Sequence, residues 1–170
     1  MSRNLKISLA LIAAVLIALA AAALLSDDAT PEAGGTPREE RLVRPDSRLL
    51  SESEDGKVTF VEFLDFECES CRAAHPAIEE LRDTYGDRIT FVVRNFPLHG
   101  NSEEAARAAE AAAEQGKFEE MYDLLFETQP EWGEKSESQR EVFFGFAEDL
   151  DLDMDDFEAV FDDPDTIAKV

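Results

Sequence analysis

Residues 57–71 read KVTFVEFLDFECESC, and this stretch decides the fold. From Lys57 to Phe66 it is an apolar, β-branched and aromatic run, the composition of a strand buried on both faces. It runs directly into Cys68-Glu69-Ser70-Cys71, behind which Ala74, Ile78 and Leu81 recur at spacings of four and three, the period of a helix, up to Gly86. Residues 88–96, RITFVVRNF, form a second strand of the same kind. Strand, helix and strand within about 40 residues make a βαβ unit with parallel strands and a right-handed crossover. The CxxC then sits where the first strand feeds the helix.

Past Pro97 the period is helical to the end. Asn101 or Ser102 caps an alanine-rich helix ending at Gly116, and Phe118, Met121, Tyr122, Leu125 and Phe126 outline the next. Ser136 with Gln139 forms a capping box ahead of Val142, Phe143, Phe146 and Leu150. Met154, Phe157, Val160 and Phe161 mark a further short helix, and Asp163 with Pro164 announces a last one. These apolar stripes read as core packing.

Towards the N-terminus, residues 26–56 are charged and carry Pro31, Pro37, Pro45, Gly34, Gly35 and Gly56, the composition of a linker with a short edge strand near its end. Before it, residues 7–25 run without a charge and with Ser8 as the one polar side chain. As a helix they span about 28 Å, near the thickness of a bilayer core. Residues 1–6 carry Arg3 and Lys6, while Asp27 and Asp28 follow the run. The positive-inside rule therefore places 1–6 in the cytoplasm, 7–25 across the cell membrane as a single-pass signal anchor, and the rest outside. A cleaved signal peptide, with Ala20 to Ala23 near its cleavage site, is the alternative.

Composition narrows the function classes. The chain has 170 residues, 39 acidic against 16 basic, and a net charge of −23. Every acidic residue lies beyond position 25, so without Arg3 and Lys6 the exported part stands at −25. Nucleic-acid binding is excluded, since each phosphate contact needs a cation that the chain lacks in surplus. Two cysteines cannot make a disulfide-dense miniprotein or an all-cysteine zinc site.

Three readings of the cysteine pair compete. Zinc held by Cys68, Cys71, His75 and His99 is disfavoured, because zinc ligands come in two local pairs and these histidines lie on different elements. A purely structural disulfide would close a four-residue loop, worth about 2 kcal/mol against nearly 5 kcal/mol for a 100-residue loop. The redox reading fits best. A cysteine just before a helix faces free N–H groups and the positive end of the dipole, which stabilise its thiolate. Cys71, one turn on, can close the disulfide or resolve a mixed one. Glu62 stands in the middle of an apolar strand, where burial would raise its pKa and let it exchange a proton with Cys71; Asp65 lies nearer the strand's end. His75 reads as a partly buried structural residue rather than a tuner of the thiolate, and His99 as a loop residue.

VEFLDFECESC at 61–71, YGDRITFVVRNFPL at 85–98, the alanine-rich helix leading into GKFEEMYDLLFETQPEW at 116–132, and DLDLDMDDF at 149–157 together resemble the DsbA-like branch of thioredoxin-fold thiol–disulfide oxidoreductases. Within it, the chain is similar to the membrane-anchored bacterial members of actinobacterial type. The resemblance covers about 57–170. It implies an α/β thioredoxin-like fold with a helical insertion at about 101–163, with Cys68 as the exposed nucleophile, Cys71 as its partner and Glu62 as the acidic residue six positions upstream. It also implies an extracytoplasmic enzyme that needs no metal or organic cofactor, exchanges disulfides with thiol-containing exported proteins and is reoxidised by a membrane quinone-linked protein. The same parts could run as a reductase or isomerase, or serve as a non-catalytic thioredoxin-like binding module at the cell surface.

Two departures shape the expectation. Glu69-Ser70 replaces the family's frequent proline with an aromatic or histidine, and Glu67 stands in front, so two carboxylates flank Cys68 and predict a weaker thiolate and a less oxidising pair than DsbA. The family's cis-proline loop, following strand pair and final helix are not in this sequence, which predicts a C-terminally truncated domain.

Overall fold

The structure is a computed structural model that describes residues 39–54 and 56–170. The expected anchor at 7–25 lies outside the described residues, as do the cytoplasmic residues 1–6 and most of the expected linker. Among the described residues no helix is long and apolar enough to cross a membrane.

After a single helical turn, Glu39–Leu42, a three-stranded sheet forms in the order β1-β3-β2 from β1 (Arg48–Ser51), β2 (Thr59–Leu64) and β3 (Thr90–Asn95). β2 and β3 are parallel, pairing from Thr59 with Thr90 to Leu64 with Asn95, and α1 (Glu69–Tyr85) connects them, so the βαβ unit is present. β1 pairs antiparallel with β3 through Arg48 with Val93 and Leu49 with Val92, slipping at a bulge before Ser51. The short strand expected near the end of the 26–56 stretch is therefore part of the sheet.

β3 is central, and its Phe91, Val92 and Val93 are buried. β2 corrects the expectation of a strand covered on both faces: it lies at the sheet's edge, with Phe60 and Phe63 exposed and Leu64 its one fully buried side chain. Period-two reading cannot separate an apolar central strand from an apolar edge strand, because strand order is set by long-range pairing. α1 brings a second correction. Its buried residue is His75; Ile78 is half-buried, and Ala74 and Leu81 are exposed.

The remaining helices are α2 (Ser102–Glu114), α3 (Phe118–Glu127), α4 (Gln129–Trp132), α5 (Arg140–Asp149), α6 (Met154–Phe161) and α7 (Pro164–Lys169). α2 is their hub, contacting α3, α5, α6 and α7. Its buried face is Ala105, Ala106, Ala108, Ala109, Ala111 and Ala112, side chains small enough for four neighbours to approach. Large side chains from those neighbours fill the space around it: Tyr122 and Phe126 from α3, Phe143 from α5, Phe157 and Phe161 from α6. α2 stops where Gly116 takes φ +73°, a conformation glycine adopts without a Cβ clash, and Lys117 N–H returns to Ala112 C=O at 2.9 Å. The Ser136–Gln139 capping box does not form. Gln139 is itself the N-cap residue of α5, with no side-chain cap, and Ser138 Oγ donates to Glu104. Asp163 does cap α7, accepting from Asp165 N–H at 2.7 Å with Pro164 in the first turn.

Candidate active site

β2 ends at Leu64, and the four residues that follow turn the chain into α1. Asp65 makes the turn: its carbonyl accepts Cys68 N–H at 3.1 Å and its Oδ1 accepts Glu67 N–H at 2.8 Å, a local carboxylate-to-backbone bond that competes with continuing the strand. Cys68 is thereby left as the N-cap residue of α1, extended at φ −73° and ψ 119°, while its carbonyl accepts the first helical bond from Arg72 N–H.

Both cysteines are free thiols and both are half-buried. The Cys68 sulfur accepts the Cys71 N–H, which is the largest influence on it; burial opposes, the Cys71 thiol and the Ser70 N–H add to the pull, and the Asp65 charge works against it. The net effect holds Cys68 below an ordinary thiol. Cys71 moves the other way: burial pushes it up, and the Cys68 sulfur and the charges of Cys68 and Asp65 outweigh one backbone bond from Asp65. A pair whose outer sulfur favours the thiolate and whose inner sulfur favours the thiol matches the helix-terminus argument.

The expected penalty from the flanking carboxylates is not what the geometry shows. Glu67 is 4% exposed and turned into the protein, where Oε2 accepts Asn101 N–H at 2.6 Å and Oε1 accepts Glu134 N–H at 2.8 Å. It clamps the loop after β3 and the turn after α4 to the cysteine loop. Glu134 sits at φ +57°, a left-handed conformation uncommon for a side-chain-bearing residue, and the Glu67 bond holds it there. Glu69 is exposed.

Asp65 is the centre of the polar arrangement beside the cysteines. It is 4% exposed, and beyond Glu67 N–H it accepts Ser102 Oγ–H, Leu98 N–H at 2.7 Å and His99 Nδ1 at 2.6 Å. Burial alone would push its carboxyl up, but these four donors outweigh it and hold Asp65 below the usual carboxylate range. The bond to Asp65 in turn raises His99, with the charges of Asp65, Cys68 and Glu67 adding. His99 is thus more than a loop residue, since it bonds Asp65 and feels the charge of Cys68. Gln129, 3% exposed, completes the support: its Nε2 donates to Phe66 C=O at 2.6 Å and to Cys68 C=O at 3.1 Å, and its Oε1 accepts Arg72 Nε at 3.0 Å.

Glu62 lies on β2 with Oε2 accepting the Tyr122 hydroxyl at 3.2 Å. Burial raises it, the Tyr122 bond lowers it and the charge of Glu79 raises it, for a net shift upward. His75 is stacked on Phe126, ring centroids 5.0 Å apart, and edge-on to Tyr122 at 5.1 Å. Of the residues the sequence singles out, Cys68 and Cys71 stand together at the start of α1 and Glu62 lies on β2. The sequence does not single out Glu67 as a clamp, nor the support given by His99, Ser102 and Gln129, whose partners lie 34 to 63 positions away. The available signal was the pair of carboxylates at 65 and 67 around a buried Phe66, too polar for a packed strand end unless bonded.

Residues 52–169, well over half of the chain, match the family model described as Thioredoxin. Among solved structures, the chain is similar to α-DsbA1 of Wolbachia pipientis, with a TM-score of 0.68 at 21% identity over 79% of this chain and 68% of that one. It is also similar to a thioredoxin-like oxidoreductase from Silicibacter pomeroyi DSS-3, with a TM-score of 0.64 at 29% identity over 79% and 73%. Among curated proteins, the Na(+)/H(+) antiporter NhaA of Herminiimonas arsenicoxydans is 38% identical over 128 residues, 75% of this chain and 20% of the antiporter. NhaA 3 of Salinispora tropica is 42% identical over 68% of this chain and 17% of its own length. The chain therefore spans about a fifth of the length of the curated relatives it matches. With a βαβ unit, a CxxC at the start of its helix, a helical block built onto it and a family model covering all three, the chain belongs to the thioredoxin family and has a DsbA-like fold.

Proposed function

We propose that the chain is a thiol–disulfide oxidoreductase working through Cys68 and Cys71 on exported proteins. The observation that carries this reading is the opposite displacement of the two thiols at the start of α1. In the oxidising direction a substrate thiolate attacks Cys68 Sγ of the Cys68–Cys71 disulfide, forming a mixed disulfide while the S–S bond breaks and Cys71 leaves as a thiolate. Cys71, pushed up by burial, takes a proton, and Glu62 is the candidate source because its own pKa is raised. A second substrate thiolate then attacks the substrate sulfur of the mixed disulfide and releases Cys68 as the stabilised thiolate. The substrate loses two electrons and the cysteine pair gains them, to be passed on to a membrane quinone-linked reoxidant.

The solved neighbours support this. The Silicibacter pomeroyi protein is described as a thioredoxin-like oxidoreductase, and α-DsbA2 of Wolbachia pipientis, 27% identical, as a thiol-disulfide exchange protein. The extracytoplasmic setting and membrane attachment rest on residues 1–28, with cations before an apolar run and aspartates after it. That a segment similar to this chain forms a fifth of an antiporter accords with work at a membrane.

The test is oxidation of a reduced dithiol peptide by the oxidised full chain. Cys68→Ser should abolish turnover, and Cys71→Ser, given the disulfide form of the peptide, should accumulate a mixed disulfide at Cys68 as the peptide's other sulfur leaves as a thiolate. Turnover retained by Cys68→Ser would refute Cys68 as the nucleophile, and no turnover by the unsubstituted chain would leave a binding module. Titration against glutathione buffers then assigns the working direction.

A further inference from the structure

Among the described residues, five buried side-chain nitrogen or oxygen atoms lack a hydrogen-bond partner, and four of them belong to neighbouring residues of one cluster. They are His75 Nδ1, Glu79 Oε1, Arg82 Nε and Asp123 Oδ1, gathered where α1 packs against α3. Unpaired buried polar atoms are rare in folded proteins, so a cluster of them asks for an explanation. His75 and Glu79 are four positions apart, hence on one face of α1, and Asp123 comes from α3 across the contact. One ligand atom from each of the three lies within 4.8 Å of the others, and His75 Nε2 is 3.5 Å from Asp123 Oδ1. His75 is 8% exposed, and stacking on Phe126 fixes the plane of its ring. Arg82 bonds the other oxygen of Glu79, which orients that carboxylate and leaves Oε1 available.

We propose that His75, Glu79 and Asp123 form a binding site for a divalent transition-metal ion that ties α1, the helix carrying the cysteine pair, to α3. Metal–ligand bonds of about 2.0–2.2 Å around a tetrahedral ion set neighbouring ligand atoms about 3.3–3.6 Å apart. The His75–Asp123 separation already has that value, and a side-chain adjustment of about an ångström would bring in the third ligand. One imidazole with two carboxylates is a borderline donor set that favours Zn²⁺ over the all-oxygen ions Mg²⁺ and Ca²⁺. The ion would neutralise two carboxylates that share a partly dry contact, and solvent would complete its coordination. No reading of the sequence pointed here, because Asp123 lies 44 positions from Glu79 and belongs to a stretch that reads as an ordinary amphipathic helix.

The test uses the full chain in detergent with Cys68→Ser and Cys71→Ser, so that no thiol can hold the metal. Zn²⁺ is titrated by calorimetry, and Co²⁺ is followed by its visible absorption bands, which report the ligand set. One equivalent should bind, with thermal unfolding shifted upward in its presence. Asp123→Asn, at a half-exposed position that leaves the core intact, should weaken binding at least tenfold and remove the shift, and His75→Gln should do the same. Circular dichroism without metal establishes that each variant is folded. Absence of saturable binding at micromolar Zn²⁺, or binding that Asp123→Asn leaves unchanged, as surface carboxylates alone would give, overturns the proposal.

Discussion

Asp65→Asn is the perturbation that probes most of the site at once. The aspartate accepts four hydrogen bonds, two on each oxygen, from Glu67 N–H, Ser102 Oγ, Leu98 N–H and His99. Asparagine has the same shape but one accepting oxygen and no charge, so its NH₂ would confront either the Leu98 or the Glu67 N–H, leaving that buried donor unpaired and weakening the bonds that remain. Bonds to a charged acceptor contribute about 1.5–3 kcal/mol each, so a loss of at least about 3 kcal/mol is expected at neutral pH, or about 10 °C in Tm for a domain of this size. The pH dependence has a definite sign. The folded Asp65 carboxyl lies below its unfolded value of about 3.9, so its contribution is complete above that pH and drains away as pH falls through the folded value. His99 acts at the other end: its folded pKa is raised, so its part is complete below about 6.5 and is lost as pH rises through the folded value. The gap between the wild-type chain and Asp65→Asn should therefore be widest from about pH 5 to 6.5 and should begin to narrow below about pH 4. Thermal melts followed by circular dichroism across pH 3–8 measure it. A gap under about 1 kcal/mol at pH 6, or one of equal size at pH 3, would refute the reasoning.

Three further outcomes follow from the same geometry. Iodoacetamide should modify Cys68 well before Cys71 near neutral pH, with a rate rising through a pKa below that of an ordinary thiol; equal rates would contradict the opposed displacements of the two sulfurs. Gln129→Ala strips donors from the Phe66 and Cys68 carbonyls and should cost about 2–3 kcal/mol in denaturant unfolding, together with faster alkylation of Cys68 as its loop loosens. Glutathione titration should place the pair below the roughly −120 mV of DsbA, since the Asp65 charge works against the Cys68 thiolate; Asp65→Asn should then move the potential upward, and no change would remove that residue from the argument.

Much of the arrangement is legible along the chain because its causes are local. The βαβ unit follows from two apolar runs flanking a period of 3.6, and the low pKa of Cys68 from its place at a helix start. The cap at Asp163 and the break at Gly116 are decided within four residues of each position. Glu62 is conspicuous because a carboxylate inside an apolar run must meet a partner or change its pKa, and Tyr122 is that partner. Where long-range packing decides, the reading fails. Leu81 carries the helical period yet points outward, whereas His75, a polar residue one position off the stripe, is buried by Phe126 and Tyr122 arriving from α3.

Two cysteines one turn apart at the junction of a strand and a helix, in an acidic chain with no charge complement for nucleic acid, are legible from the residues alone because spacing and composition are local properties. The tertiary structure decided what surrounds them. Asp65 and Glu67, which as neighbours in sequence should only repel a thiolate, also bind the N–H groups of Leu98, Asn101 and Glu134, and so fasten the loop after β3 and the turn after α4 to the cysteine loop. Charge is carried by composition, but whether a carboxylate repels, clamps or ligates depends on which donors the fold brings to its oxygens, and those donors come from segments that only chain closure makes neighbours.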